Sequence, residues 1–468
     1  MRAALDYIPA WIELQMRLGD QPGCVIAIAH KGRIVLEKSF GAADLGSGEP
    51  MTPRHRLRIA SHSKSFTAAG IMKLREQRRL RLDDPLGDHL KGLNREIAHA
   101  TIAQVLSHSA GLVRDGADNG QFVDRRPFFD AGELLSDLAA DPTIAPNTRF
   151  KYSNHGYGLI GLLIEAITGE PYRVWIKREI VEAAALTETE PDMPLPKGAL
   201  FARGHSSKLV LGKRAIIPGD YSTNAIVPAA GFVSTASDVA RFFGQLSPNA
   251  GTSVLSVASR REMTRRQWRS PHSGIEVYYG LGLSSGTLAG WDCFGHGGSL
   301  QGYISQTTVV PEQDLSICVL TNAANGWAGP WVEGAIHILR AFSQRGAPSR
   351  KLRDWTGRWW GYGGAADFVP IGGVVLVADP QSWNPFQFAS EIEATGKDKG
   401  RIALANGYAG HGEKVRRIRD KAGKIVEVWL GSSKLVSEKQ VIDEMTARYK
   451  TAPTAQEAAP GQRKRRRS

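Results

Sequence analysis

The chain has 468 residues, 42% of them hydrophobic, and a formal net charge of +13. That length suggests two or three folded domains, and no apolar run approaches the roughly twenty residues needed to span a bilayer. Five of the excess positive charges lie in Arg463–Arg467, within an Ala-, Pro- and Gln-rich tail that reads as disordered and solvated, so no specific nucleic-acid partner and no membrane partner is expected.

Residues 1–19 alternate apolar with charged positions (Leu5, Ile8, Trp11, Ile12 against Glu13 and Arg17), the pattern of an amphipathic helix and not of an export leader. Three cysteines, Cys24, Cys293 and Cys318, lie in apolar strand-like contexts and read as buried, reduced thiols. Together these features point to a cytoplasmic protein. Next come two strand-like runs, 23–30 and 33–40, separated by Lys31-Gly32 in the manner of a hairpin. A short strand at 57–60 leads into a helix ending near Gln77, and residues 157–167 read as a buried helix. After a mostly helical middle, strands at 303–311 and 315–321 flank the turn Pro311–Asp314, and an amphipathic helix occupies 329–344. Strands, then helices, then strands imply an α+β domain in which helices pack on one antiparallel sheet.

Composition changes after residue 345, where Gly346-Ala347-Pro348-Ser349 begins a predicted linker, 346–354. Residues 355–450 lose helical periodicity and carry β-rich runs at 373–378, 401–404, 414–418 and 425–430, with a turn at Asp420–Gly423, which predicts a small all-β, barrel-like domain. The expected organisation is a catalytic domain over 1–345, the linker, the β domain over 355–450 and a disordered basic tail over 451–468.

The chemistry-bearing motifs lie in the first domain. Ser61-His62-Ser63-Lys64 is the sole Ser-x-x-Lys tetrapeptide in the chain. On a helix, positions i and i+3 share a face, which sets the Lys64 amine beside the Ser61 hydroxyl. By itself such a tetrapeptide is uninformative, since one or two are expected by chance in a chain this long. Its weight comes from Tyr152-Ser153-Asn154 and Gly295-His296-Gly297-Gly298-Ser299, which follow in order. This order resembles the serine β-lactamase and penicillin-binding-protein superfamily. The segments 41–52, 106–112, 231–235 and 279–283 also resemble that superfamily's connecting segments, so the likeness covers roughly residues 20–345; Ala110 departs from the family's usual serine. A tyrosine-led second motif and a histidine-led third motif are most similar to the branch of D-aminopeptidases, D-amino-acid amidases and certain esterases. Some relatives in that branch carry a β-barrel after the catalytic domain.

Serine needs a base to take its proton as it attacks a carbonyl. Lys64 can serve if burial or nearby positive charge keeps it neutral, with Tyr152 as the second candidate and as a relay to the leaving group. The Ser61 backbone N–H lies near the positive end of a helix dipole and can face an oxyanion. By resemblance, the second donor is the N–H of Ser299, with Gly297 and Gly298 letting substrate approach the backbone. Asn154 is expected to hydrogen-bond substrate or Lys64. His296 stands where penicillin-binding relatives have lysine, so the pocket should hold an anionic carboxylate less strongly. His62 and His108 read as structural.

No Gly-x-Ser-x-Gly elbow, zinc-type histidine spacing, P-loop or dinucleotide fingerprint occurs, so no metal or cofactor is expected. The sequence thus predicts an acyl-Ser61 hydrolase acting on amide or peptide bonds of a small-molecule or short-peptide substrate, of D-aminopeptidase or D-amino-acid amidase type. A carboxylesterase, a β-lactamase or DD-carboxypeptidase, and a non-catalytic scaffold on the same fold are the alternatives, and a homodimer is left open.

Overall fold

The computed structural model describes residues 1–270, 276–405 and 410–449. The chain divides into two compact units, residues 2–340 and residues 341 onward with Met1. Among the described residues no helix is long and apolar enough to cross a membrane.

The first unit is built on a nine-stranded antiparallel sheet. Strand Gly23–His30 is buried along almost its whole length and pairs on one side with Arg33–Asp44, across a Lys31-Gly32 turn whose two residues both have positive φ. Such a turn matches the right-handed twist of its flanking strands, which explains the hairpin. On the other side Gly23–His30 pairs with Leu315–Thr321, with Ile28 opposite Ile317. Tyr303–Val310, Trp291–Leu300, Ser284–Leu288, Val277–Tyr279 and Trp268–Arg269 continue the sheet, while Glu49–Pro50 forms its opposite edge. The two ends of this unit's sequence therefore meet in the middle of the sheet. The helix Ala236–Gln245 covers one face, packed against the three central strands, and the helix Arg2–Leu18 packs against Arg33–Asp44. Cys24 and Cys318 are buried and unpaired as expected, whereas Cys293 is only half-buried because it lines a cavity with Gly286, Phe294 and Glu333.

The helical layer centres on Ser63–Glu76, most of whose residues are buried. Phe66 stacks on Phe242 at 3.8 Å and on Phe232 at 4.5 Å between centroids. Beside it runs Asn154–Thr168, started by the Ser153 hydroxyl accepting the Gly156 N–H and stopped by the left-handed Gly169. A Cβ on Gly161 of that helix would lie 2.3 Å from Pro228 Cγ, so only glycine allows this approach.

A buried ion pair joins the loops around this layer. Arg58 donates to Asp192 at 3.1 Å and to the carbonyls of Gly219 and Gly231 at 2.9 Å each. Asp192 also accepts the Ser222 hydroxyl at 2.6 Å and the Thr223 N–H at 3.0 Å.

The second unit is an eight-stranded meander, Gly357–Gly361, Gly364–Ile371, Val374–Ala378, Ser390–Ala394, Lys399–Leu404, Lys414–Arg419, Ile425–Leu430 and Ser433–Leu435. Trp360 and Val436 exchange backbone hydrogen bonds of 2.8 and 2.9 Å, bringing first and last strands together into a nearly closed barrel. Alternate residues such as Phe368, Val375, Ile392, Val415 and Val428 fill it. Four of its strands coincide with the expected runs. The others are Trp- and Gly-rich or charged and lack clear alternation, as is the helix Glu438–Arg448 that follows. Within 346–354, the predicted linker, Arg350–Trp355 forms a 3-10 turn that places Leu352 and Trp355 in this core. The basic tail lies outside the described residues.

Removing one member of a buried ion pair leaves the other charge unpaired. Asp192→Ala is therefore expected to destabilise the first unit by about 3–5 kcal/mol, measured by denaturant unfolding; a loss below 1 kcal/mol would show that the pair is dispensable.

Candidate active site

The strand Leu57–Arg58 pairs with Val233–Ser234 and then turns sharply. Ala60 is held at φ +49, a left-handed conformation that costs a non-glycine residue about 1–3 kcal/mol. Ser61 follows within the 3-10 turn Ala60–His62, which runs into the helix Ser63–Glu76. Side chains on both flanks brace the turn. Ser63 donates to the Ala60 carbonyl at 2.6 Å and accepts the Phe232 N–H at 3.0 Å. His62 bonds the Ile59 carbonyl through Nδ1 at 3.0 Å and Thr307 Oγ1 through Nε2 at 2.9 Å. Burial, with His296 nearby, lowers the His62 pKa to about 3, so its ring is a neutral structural brace.

Lys64 lies one helical turn on, fully buried. Its Nζ donates to Asn154 Oδ1 at 2.7 Å, the Ala229 carbonyl at 2.8 Å and Ser61 Oγ at 3.3 Å, all uncharged partners. Burial drives the Lys64 pKa well below its ordinary value; Asp115 opposes this and Arg114 adds to it. The rings of Tyr152 and Tyr157 wall the amine at 4.7 and 5.5 Å.

Burial raises the Tyr152 phenol pKa above its usual range, opposed by the neighbouring Ser61 hydroxyl. His108 Nδ1 accepts the Ser153 N–H at 3.1 Å, and its ring packs on Tyr152 at 4.2 Å, so His108 supports the second motif from behind. Asn154 Nδ2 donates to Asp115 Oδ1 at 2.6 Å, and Asp115 meets Arg114 at 3.3 Å. Lys64, Asn154, Asp115 and Arg114 thus form one polar chain from buried amine to solvent.

The third motif lies on Trp291–Leu300. Tyr303–Val310 pairs with this strand from Phe294 to Leu300, but Ser284–Leu288 pairs only from Trp291 to Gly295. The other edge of 296–300 therefore has no strand neighbour among the described residues. His296 Nδ1 lies 2.6 Å from the Gly297 carbonyl, which can only accept, so Nδ1 carries the hydrogen. Burial and the proximity of Lys64 lower the His296 pKa to about 4; the neutral ring's Nε2 then accepts the Tyr279 hydroxyl at 2.9 Å.

Gly298 has a packing reason distinct from substrate approach: a Cβ there would sit 2.3 Å from the Ile59 carbonyl oxygen and 2.4 Å from Ser305 Oγ. Gly297 is freer, since its Cβ would meet only the end of the Gln306 side chain at 2.9 Å.

Seven of the eight residues singled out in the sequence, Ser61, Tyr152, Asn154, His296, Gly297, Gly298 and Ser299, line one cleft of about 850 Å³, and Lys64 lies beneath Ser61. Sequence reasoning missed Arg114, Asp115 and Tyr279. Arg114 and Asp115 follow closely on the 106–112 segment and Tyr279 opens the 279–283 segment, so the signal available was their adjacency to stretches already resembling the superfamily.

A family model described as Beta-lactamase matches residues 9–341. Protein flp of Staphylococcus aureus (strain N315) is 23% identical over 334 residues, 69% of this chain and 64% of that protein. The chain therefore spans just under two thirds of the length of that curated relative. Among solved structures, the octameric penicillin-binding protein homologue from Pyrococcus abyssi aligns with TM-score 0.64 at 24% identity, covering 92% of this chain and 99% of that one. A D-stereospecific amidohydrolase from Streptomyces sp. aligns with TM-score 0.58 at 25% identity, covering 73% of this chain and 97% of that one.

The contact at Gly298 is directly testable. Gly298→Ala must push the strand away from the Ile59–Ser61 turn, with an expected loss of about 1–3 kcal/mol typical of overpacking; unchanged thermal stability would show that the turn gives way without cost.

Proposed function

We propose that this chain, which belongs to the Beta-lactamase family of serine hydrolases, cleaves amide bonds of D-amino-acid amide or short D-peptide substrates through an acyl-Ser61 intermediate. The observation that carries this reading is the buried Lys64 amine, 3.3 Å from Ser61 Oγ, with uncharged hydrogen-bond partners and a strongly lowered pKa.

In the proposed reaction Ser61 Oγ attacks the carbonyl carbon and Lys64 Nζ takes the hydroxyl proton. The negative charge forming on the carbonyl oxygen is met by the backbone N–H groups of Ser61 and Ser299. Tyr152, beside Ser61, gives its phenolic proton to the departing amine and recovers one from the Lys64 ammonium, so both groups return to their starting state. Water then attacks the acyl-enzyme with the same groups in reverse, releasing the acid and restoring Ser61. Asn154 fixes the Lys64 amine and separates it from Asp115.

The state of His296 favours this substrate class over β-lactams. A neutral imidazole whose two nitrogens are engaged by Gly297 and Tyr279 supplies no cation for a carboxylate beside the scissile bond. Uncharged amides and esters lose nothing by that. Among the described cleft residues, Asp115 is the one carboxylate available to a substrate ammonium group. The Streptomyces structure, named as a D-stereospecific amidohydrolase, is consistent with the same class. A carboxylesterase would use identical machinery and is the second reading, favoured by the same neutral His296.

Ser61→Ala is expected to abolish turnover and labelling by an active-site phosphonate, and Lys64→Ala or Tyr152→Phe to lower kcat by about 10² to 10⁴. The catalytic form requires unprotonated Lys64, so activity should rise with pH along an acid limb. Asp115 raises the Lys64 pKa and Arg114 lowers it; Asp115→Asn should move that limb to lower pH and Arg114→Gln to higher pH. Shifts in the same direction would remove Lys64 from the role of base.

A panel of D- and L-amino-acid amides, short-chain esters and a chromogenic cephalosporin decides the substrate class. Turnover of D-amides is expected to exceed that of the cephalosporin by orders of magnitude. Equal or faster cephalosporin hydrolysis would overturn the amidase reading in favour of a β-lactamase, and ester turnover without amide turnover would select the esterase.

A further inference from the structure

The cleft ends at Gln301, in the turn between Trp291–Leu300 and Tyr303–Val310. Its side-chain nitrogen donates to the Gln121 carbonyl at 2.7 Å, and its Oε1 accepts the Tyr221 hydroxyl. Gln301 thereby bridges the turn Gly120–Val123 to Tyr221 and closes that end of the cleft. Beyond it lies a second cavity of about 530 Å³, also lined by Gln301, with Pro127, Phe128 and Tyr221 as its apolar wall and with charged residues, Asp124, Arg125 and Arg126, around the rest. Phe122 on the cleft side meets Phe128 on the far side edge to face, at 5.2 Å. One amide side chain and one ring edge therefore separate two cavities.

The members of this wall are held very differently. Tyr221 sits over the Arg58 guanidinium at 4.9 Å and stacks on Phe128 at 5.7 Å, and Arg58 is locked by its buried pairing with Asp192. Gln301 is half-buried on a hairpin turn, next to left-handed Gly302, and its amide is fixed by two hydrogen bonds at the end of a flexible stem. Gln121, which lines the far cavity, keeps its side-chain Oε1 buried without a hydrogen-bond partner.

We propose that Gln301 is a gate between the reaction cleft and a subsite with one apolar wall, the stacked Phe128 and Tyr221 rings, along which a flat aromatic or long alkyl substituent on the acyl half of the substrate can lie. This rests on the hydrolase reading above for the identity of the substrate, but the gate itself is a matter of cavity geometry. Substrate backbone lying along the free edge of Gly297–Leu300 leads to Gln301, so a group extending past Ser299 reaches the gate. With Gln301 in place small acyl groups are favoured, and larger ones must displace it.

The test compares acetyl with octanoyl p-nitrophenyl esters, and N-acetyl- with N-phenylacetyl-D-alanine as non-covalent ligands, in the full chain and in Gln301→Ala and Tyr221→Phe. Gln301→Ala is expected to raise the octanoyl-to-acetyl ratio of kcat/KM at least ten-fold and to raise the relative affinity for the phenylacetyl ligand by a similar factor. Tyr221→Phe, which removes only the hydroxyl that holds Gln301, should shift both ratios in the same direction by less, and it serves if Gln301→Ala fails to fold. Ratios within two-fold of the unmodified protein in the folded variants would overturn the gate. The binding ratio stands apart from catalysis: a chain that hydrolyses none of the esters or amides refutes the hydrolase reading, while the affinity comparison still decides the gate.

Discussion

A primary amine sealed from water, with only uncharged groups to bond, is the constraint around which the first unit is organised. Lys64 is surrounded by an amide oxygen, a backbone carbonyl, a hydroxyl and two aromatic rings. Burial favours the neutral amine, and Asp115 is kept one residue away behind Asn154, close enough to moderate the effect without forming a direct ion pair. Direct contact with a carboxylate would favour the charged form and work against a base. The spacing between Lys64 and Asp115 therefore bears on the Lys64 pKa as much as the identity of either residue.

The strained turn at Ala60 belongs to the same arrangement. A non-glycine residue in the left-handed region persists only where its surroundings over-determine it. Here they include Ser63 and His62 bonding back to the turn, Ser305 bonding the Ile59 carbonyl at 3.2 Å, and Gly298 permitting the strand to lie against it. The result presents Ser61 at the base of the cleft, beside the free edge of the strand carrying His296. The placement of Ser61 and the packing of the strand use the same contacts, so loosening one loosens the other.

Neutrality recurs across the site. His62, His108 and His296 all have pKa values lowered by burial, and each ring is oriented by a hydrogen bond at one or both nitrogens. The cleft is thus lined by fixed dipoles more than by mobile charges, with Arg114 and Asp115 meeting at its margin. Such a surface suits an uncharged scissile group. Arg114 is the one permanent cation lining it among the described residues.

Local sequence determined a good deal. The i, i+3 relation of Ser61 and Lys64, the hairpin at Lys31-Gly32, the Asp420–Gly423 turn and four barrel strands depend on short-range periodicity and turn chemistry, which a single sequence displays. Three ordered motifs were enough to identify the family and the residues lining the cleft. Tertiary structure alone decided the rest. That Gly298 answers to the Ile59 carbonyl, that Tyr279 holds His296, that Arg114 and Asp115 reach Lys64 through Asn154, and that Gln301 walls off a second cavity are all contacts between segments far apart in the chain. Their strength depends on distance and burial, neither of which leaves a periodic trace. The same holds for the barrel's first strand, whose Trp-rich run lacks alternation and is fixed by closing onto Val436. Sequence supplied the titratable side chains; packing shifted their pKa values, because desolvation is a property of the surroundings a residue acquires only on folding.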